Sequence, residues 1–205
     1  MLLIQKKGKQ MKKTLSKRIY VSMDEMERAY NKVRKELEKV GLLYDGTALD
    51  EVECYHERLS IGALSSFVGV MGFYDFDDCN IHIPAMYPAG LFPWYADREI
   101  LDVIRHEFGH ALADRYPKYF DGRIFKAAFG DVYGENQVFE GDDWSEEYVT
   151  EYASEMTQED FAETFMLYIK YKGKLPAKFR GKKAIEKKWN VVETIVSKIA
   201  AQIIS

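Results

Sequence analysis

The sequence predicts an α+β fold: a small sheet in the first half, a central helix carrying two histidines, and a mainly helical second half. Three observations predict it. Residues 42–84 are β-branched and aromatic segments punctuated by Gly46, Gly62, Gly69 and Gly72. Residues 97–116 place apolar side chains at helical period, with His106 and His110 four positions apart. Residues 157–171 and 184–204 then repeat the helical period, the last with Ile185, Trp189, Val192, Ile195, Val196 and Ile199 on one stripe. The 205 residues are 47% hydrophobic and 14% aromatic, enough to bury a sizeable core. The reading is one domain over 21–205 behind a basic, disordered tail at 1–20.

The elements follow in chain order. That tail holds Lys6, Lys7, Lys9, Lys12, Lys13, Lys17 and Arg18. Its only apolar start is Leu2-Leu3-Ile4, well short of the about 7 residues that open a signal-peptide core. Residues 22–41 form a helix. Ser22 and Glu25 make a capping box, Met26, Ala29, Tyr30, Val33 and Leu37 a stripe, and Gly41 the stop. Strands are expected near 51–56, 65–74 and 80–83, with a turn at 75–78. Residues 84–96, with Pro84, Pro88, Gly90 and Pro93, are a loop over the start of the central helix. Helical segments are expected at 120–129 and from Glu146 to Ser154. A helix over 157–171 is capped by Thr157, and one over 184–204 closes the core.

The central helix contains His106-Glu107-Phe108-Gly109-His110, the form H-E-x-x-H, in a chain with four histidines. Residues i and i+4 share a helix face one turn apart, so His106 and His110 can offer two imidazoles to one metal ion. Glu107 is displaced to the side, where a carboxylate can reach a bound water without being a ligand. This is the arrangement a zinc hydrolase needs. A catalytic zinc usually has three protein ligands, so one must come from elsewhere. Glu159 and Glu163 are again i, i+4 on a helix, 48 residues after His110. One carboxylate can bind the metal, and the other can hold a ligand histidine through its second ring nitrogen.

H-E-x-x-H followed by a helical E-x-x-x-E resembles the gluzincin metallopeptidases. The string Tyr152-Ala153-Ser154, then Glu159-Asp160-Phe161-Ala162-Glu163-Thr164-Phe165, with Phe129-Gly130-Asp131, looks more specifically like a bacterial family of zinc-binding metallopeptidases. A more distant likeness is the anthrax lethal factor catalytic domain, which shares HEFGH and has a tyrosine seven residues before its ligand glutamate. The resemblance covers roughly residues 98–171 and implies a zincin-like fold. It implies that His106, His110 and Glu159 bind Zn²⁺, that Glu163 supports a histidine, that Glu107 is the general base, and that Tyr152 is an oxyanion donor. It also implies that an edge strand, Ile81–Ile83 or Val68–Phe73, lines the cleft, with His82 a candidate to point into it. Members of the bacterial family often carry an N-terminal cysteine-pair ribbon. Cys54 and Cys79 stand too far apart for one.

The expected function is therefore zinc-dependent hydrolysis of peptide bonds in a peptide or protein substrate. The alternatives are a non-catalytic zinc-binding interaction protein and a toxin-type protease specific for one protein target. Glu107 argues against a purely structural zinc. A net charge of −4 argues against nucleic acid as the main partner. No stretch approaches the about 20 apolar residues of a membrane span. Two cysteines make no disulfide framework, and the expectation is reduced thiols in a cytoplasmic protein, with export by a dedicated route left open. An acidic stretch at 135–163 is read as a solvated face or as a preference for basic peptides. The residues do not set the oligomeric state.

Overall fold

The computed structural model describes residues 21–57, 72–85, 99–131 and 143–204. The basic tail, most of the predicted strand at 65–74, and most of the loop at 84–96 lie outside the described residues.

Helix α1 spans Met23–Lys39, and the Ser22 hydroxyl accepts from the Glu25 amide at 3.2 Å, as the capping pattern requires. Met26, Ala29, Val33 and Leu37 are buried. The helix ends in paired reverse bonds, Leu42 N–H to the Leu37 carbonyl and Gly41 N–H to Glu38, with Gly41 at φ +79°. A side chain is disfavoured there twice over, because a Cβ on Gly41 would also meet Ala200 at 2.8 Å.

Three short strands follow: β1 Cys54–Glu57, β2 Phe73–Asp75 and β3 Asn80–Pro84. The order is β1-β3-β2, with β1 parallel and β2 antiparallel to β3. The central strand is therefore β3. Ile81–Ile83 is not the edge that the sequence reading offered, because both its sides are paired. Among the described residues the edges are β1 and β2. Ile81 and Ile83 are fully buried toward the helices, while His82 faces the other side between Tyr55 and Phe73. The turn falls at residues 76–79, with Cys79 at φ +61°.

Helix α2, Ile100–Arg115, is the centre of the molecule. It is buried from Asp102 through Gly109 and again at Ala111 and Leu112, more completely than one apolar face would be. It packs on α1, on β2 and β3, and most extensively on α4, Thr157–Lys170. Gly109 makes the last contact possible: a Cβ there would stand 2.9 Å from the Ala162 Cα. Short helix α3, Arg123–Phe129, and α5, Lys183–Ile204, close the other side of α4. Phe120, Phe125, Phe129, Phe161 and Phe165 interlock with ring centroids 4.8–5.9 Å apart.

Two sequence expectations shift. Met156, in extended geometry, is the residue before α4, so Thr157 is its first residue rather than its cap. The stretch from Glu146 to Ser154 is two separate 3₁₀ turns, Trp144–Glu146 and Tyr152–Ser154, not the start of a helix.

Polar networks fix the helices against one another. Arg105 grips Glu36 of α1 through Nε at 2.8 Å and Nη2 at 3.0 Å, and Asp102 at 2.6 Å. Lys170 of α4 reaches the other Asp102 oxygen at 2.6 Å. On the far side, Lys188 of α5 meets Asp160 of α4 at 2.6 Å, the pair 6% and 2% exposed, and lies 3.8 Å over the Tyr148 ring. Cys54 and Cys79 are free thiols. No helix among the described residues is long and apolar enough to cross a membrane.

Candidate metal centre

Helices α2 and α4 bring their i, i+4 pairs face to face at the Gly109–Ala162 contact. His106 Nδ1 lies 2.7 Å from Glu163 Oε1. A carboxylate accepts, so that nitrogen is the donor, and in a neutral ring Nε2 is left as a lone pair. The opposite Glu163 oxygen accepts from the Thr150 hydroxyl at 2.8 Å, and Glu163 itself is 0% exposed. Thr150 Oγ in turn accepts from the Ala153 amide, which organises the turn carrying Tyr152.

On the other side of the His106 ring three electron-pair donors converge. His106 Nε2 and His110 Nε2 are 3.1 Å apart, and Glu159 Oε2 is 2.9 Å from the first and 3.6 Å from the second. Two donors on one tetrahedral zinc stand about 3.3 Å apart, given bonds of about 2.0–2.1 Å. Glu159 Oε2 is buried and yet accepts no well-formed hydrogen bond. Lone pairs facing one another in a buried space repel unless a cation lies between them. The site's electrostatics express the same need. Burial works against a charge on His106, but the Glu159 and Glu163 carboxylates outweigh it and push its pKa up to about 10. Burial likewise opposes the charge on Glu159, yet His106 and His110 hold it well below the usual carboxylate range. The donor set thus fits a divalent cation that takes imidazole and carboxylate, and zinc is such an ion.

Glu107 is buried beside the two histidines, and with them forms a group whose ligand atoms lie within 4.8 Å of one another. Burial pushes its carboxyl above the usual range, against the pull of His106 and His110 and of the Tyr74 backbone amide. The Tyr152 ring lies 5.8 Å from the His106 ring, centroid to centroid. The six residues to which the resemblance assigns a role in the metal centre, His106, Glu107, His110, Tyr152, Glu159 and Glu163, thus lie in one cluster.

His82 is elsewhere. Its nitrogens lie 2.7 Å from Glu57 and 2.9 Å from Asp78. Asp75, Asp78 and His82 form a second group of close ligand atoms, but there His82 pairs with Asp78 and Glu57, and Asp75 accepts from the Asp77 amide. His56 donates to the Val21 carbonyl at 2.7 Å. Cys54 is close enough to Glu107 to feel its charge. Burial first, then that charge, push its thiol up to about 12, so it stays protonated and is a poor ligand.

Sequence reasoning missed Thr150, Tyr74 and Asp114. The Tyr74 hydroxyl donates to Asp114 Oδ2 at 2.7 Å, tying β2 to the helix turn after His110. No local spacing marks these residues.

Residues 95–194 match the model of a family described as "Putative zinc-binding metallo-peptidase". The match begins just before α2, spans both i, i+4 pairs, and supports the resemblance that the motifs carry. No curated protein and no solved structure matches the chain.

Proposed function

We propose that this protein is a zinc-dependent metallopeptidase of gluzincin type. The convergence of His106 Nε2, His110 Nε2 and the buried Glu159 Oε2 within 2.9–3.6 Å of one another is the observation that carries the reading. These three side chains would hold the ion, and Glu163 would orient His106, fixing Nδ1 as the donor and making the metal-facing Nε2 a more basic ligand. Zn²⁺ bound there lowers the pKa of water to about 7 and polarises the scissile carbonyl.

The chain's own groups do the rest. Glu107 takes the proton from the attacking water and hands it to the departing amine nitrogen. Its burial raises its basicity toward what proton transfer near neutral pH needs. The phenol of Tyr152, beside His106, donates to the oxygen on which charge develops. The buried walls of α2 and α4 exclude bulk water, which strengthens each of these interactions. A site built only to hold a cation needs no buried carboxylate such as Glu107 beside its donors.

Metal analysis and a peptide-cleavage assay test the reading together. The wild type binds about one zinc per chain and cleaves peptides, whereas Glu107→Gln keeps the zinc and loses cleavage by at least about 10²-fold, the lower end of a general base's contribution. Undiminished cleavage by Glu107→Gln would remove the mechanism. A wild type that takes up no zinc would remove the metal site.

A further inference from the structure

Beside His110 a small pocket opens on the α4 side of the metal centre. Phe76, Phe120 and Phe161 form phenyl walls, and Ala113, with its small side chain, leaves the space between them. Asp114, one helical turn beyond His110, is the only acid among the described residues that line the pocket. Phe120 and Phe161 belong to the buried aromatic cluster, so these walls are fixed by the core, while Phe76 is 56% exposed at the rim.

Asp114 Oδ2 accepts from the Tyr74 hydroxyl. Burial and then that bond push the Tyr74 phenol far above its ordinary pKa, so it remains a neutral donor and does not cancel the carboxylate's charge. No cationic side chain pairs with Asp114 among the described residues. An aromatic-walled space with one carboxylate is unlike a pocket for a purely apolar side chain, which would cover that charge without a partner. Asp114 also repels an acidic side chain. What matches both features is an aliphatic stem with a cation at its end.

Resting on the peptidase reading, we propose that this pocket selects a lysine or arginine beside the scissile bond. The stem lies between the phenyl rings, and the cation pairs with Asp114. Asp114 touches the substrate away from the reacting atoms, so it sets specificity rather than taking part in the chemistry.

The experiment is cleavage-site profiling of the zinc-loaded full chain on a peptide library, products read by mass spectrometry, wild type beside Asp114→Asn. Asparagine keeps an acceptor for the Tyr74 hydroxyl and removes only the charge. The expected result is enrichment of lysine and arginine at one position flanking the cut. In Asp114→Asn the kcat/KM ratio of lysine over methionine at that position falls about tenfold or more, as loss of a close charge pair implies. Cleavage without cationic enrichment, or with an enrichment that Asp114→Asn leaves unchanged, overturns the pocket assignment and leaves the peptidase reading standing. Cleavage of no peptide overturns the peptidase reading and this assignment with it. Should Asp114→Asn not fold, the wild-type profile decides alone, by the presence or absence of the enrichment.

Discussion

Glu159 and Glu163 have the same chemistry and different tasks, and the difference lies in which histidine nitrogen each faces. Glu159 Oε2 lies against the ring nitrogens that face each other, and Glu163 accepts from the far side of His106. Glu159→Ala is therefore expected to abolish zinc binding. Glu163→Ala is expected to weaken it by about 10–100-fold, the usual cost of losing a histidine's supporting acceptor. Competition with a chromophoric chelator measures both, and the reverse ranking would exchange their roles. Tyr152→Phe is expected to lower kcat with zinc content unchanged, and an unchanged kcat would strike the phenol from the mechanism. The residues of this centre were legible in the sequence because each pair is a local pattern: four residues is one helical turn, whatever the tertiary fold. Thr150 and Asp114 were not legible. Thr150 meets Glu163 across 13 positions and Asp114 meets Tyr74 across 40, contacts that only the packing of α2, α4 and the sheet creates.

The helices were more legible than the sheet for the same reason. Ser22, Gly41 and the stripe of α1 state their element within one turn. The order β1-β3-β2 depends on a parallel pairing between residues 54–57 and 81–84 that no local pattern announces. The crossing of α2 and α4 rests on a single missing methyl. Gly109→Ala would place a Cβ 2.9 Å from the Ala162 backbone, which cannot yield without separating the helices. The expected cost is about 1–3 kcal/mol in urea unfolding, with zinc affinity reduced alongside. An unchanged midpoint would show that the crossing has slack.

The sheet carries a pH dependence of its own. Burial opposes charge on His82, but Glu57 and Asp78 prevail and raise its pKa above the ordinary value of about 6.5. A raised pKa means that the folded state holds the proton more tightly than the unfolded one. The stabilisation is therefore complete below about pH 6.5 and disappears as pH climbs through the folded value. The gap in Tm between wild type and His82→Gln should be widest near about pH 5 and narrow as the medium becomes alkaline. A gap constant with pH would mean that His82 acts by packing on Phe73 alone.

Across the whole molecule, Arg105 is the junction where α1, α2 and, through Asp102 and Lys170, α4 are joined. Removing one member of such a buried network leaves its partners desolvated and unpaired. Arg105→Met is expected to lower unfolding stability by about 3 kcal/mol or more, and a loss under about 0.5 kcal/mol would show that the network contributes little. Zinc acts at the same scale, since an ion that binds only the folded chain stabilises by mass action. At about 100-fold excess over its Kd that is about 2.7 kcal/mol, seen as a Tm that rises with zinc and returns with chelator. Arg105 and His106 are adjacent in the chain, yet they serve different sides of α2, because one residue along a helix is a turn of about 100°. Frame-preserving changes in gene length therefore act here unlike point changes. A codon inserted or deleted between positions 106 and 110 rotates everything beyond it by that angle, parting His110 from His106, although every side chain needed is still encoded. Natural and engineered length variation should be absent within this one turn.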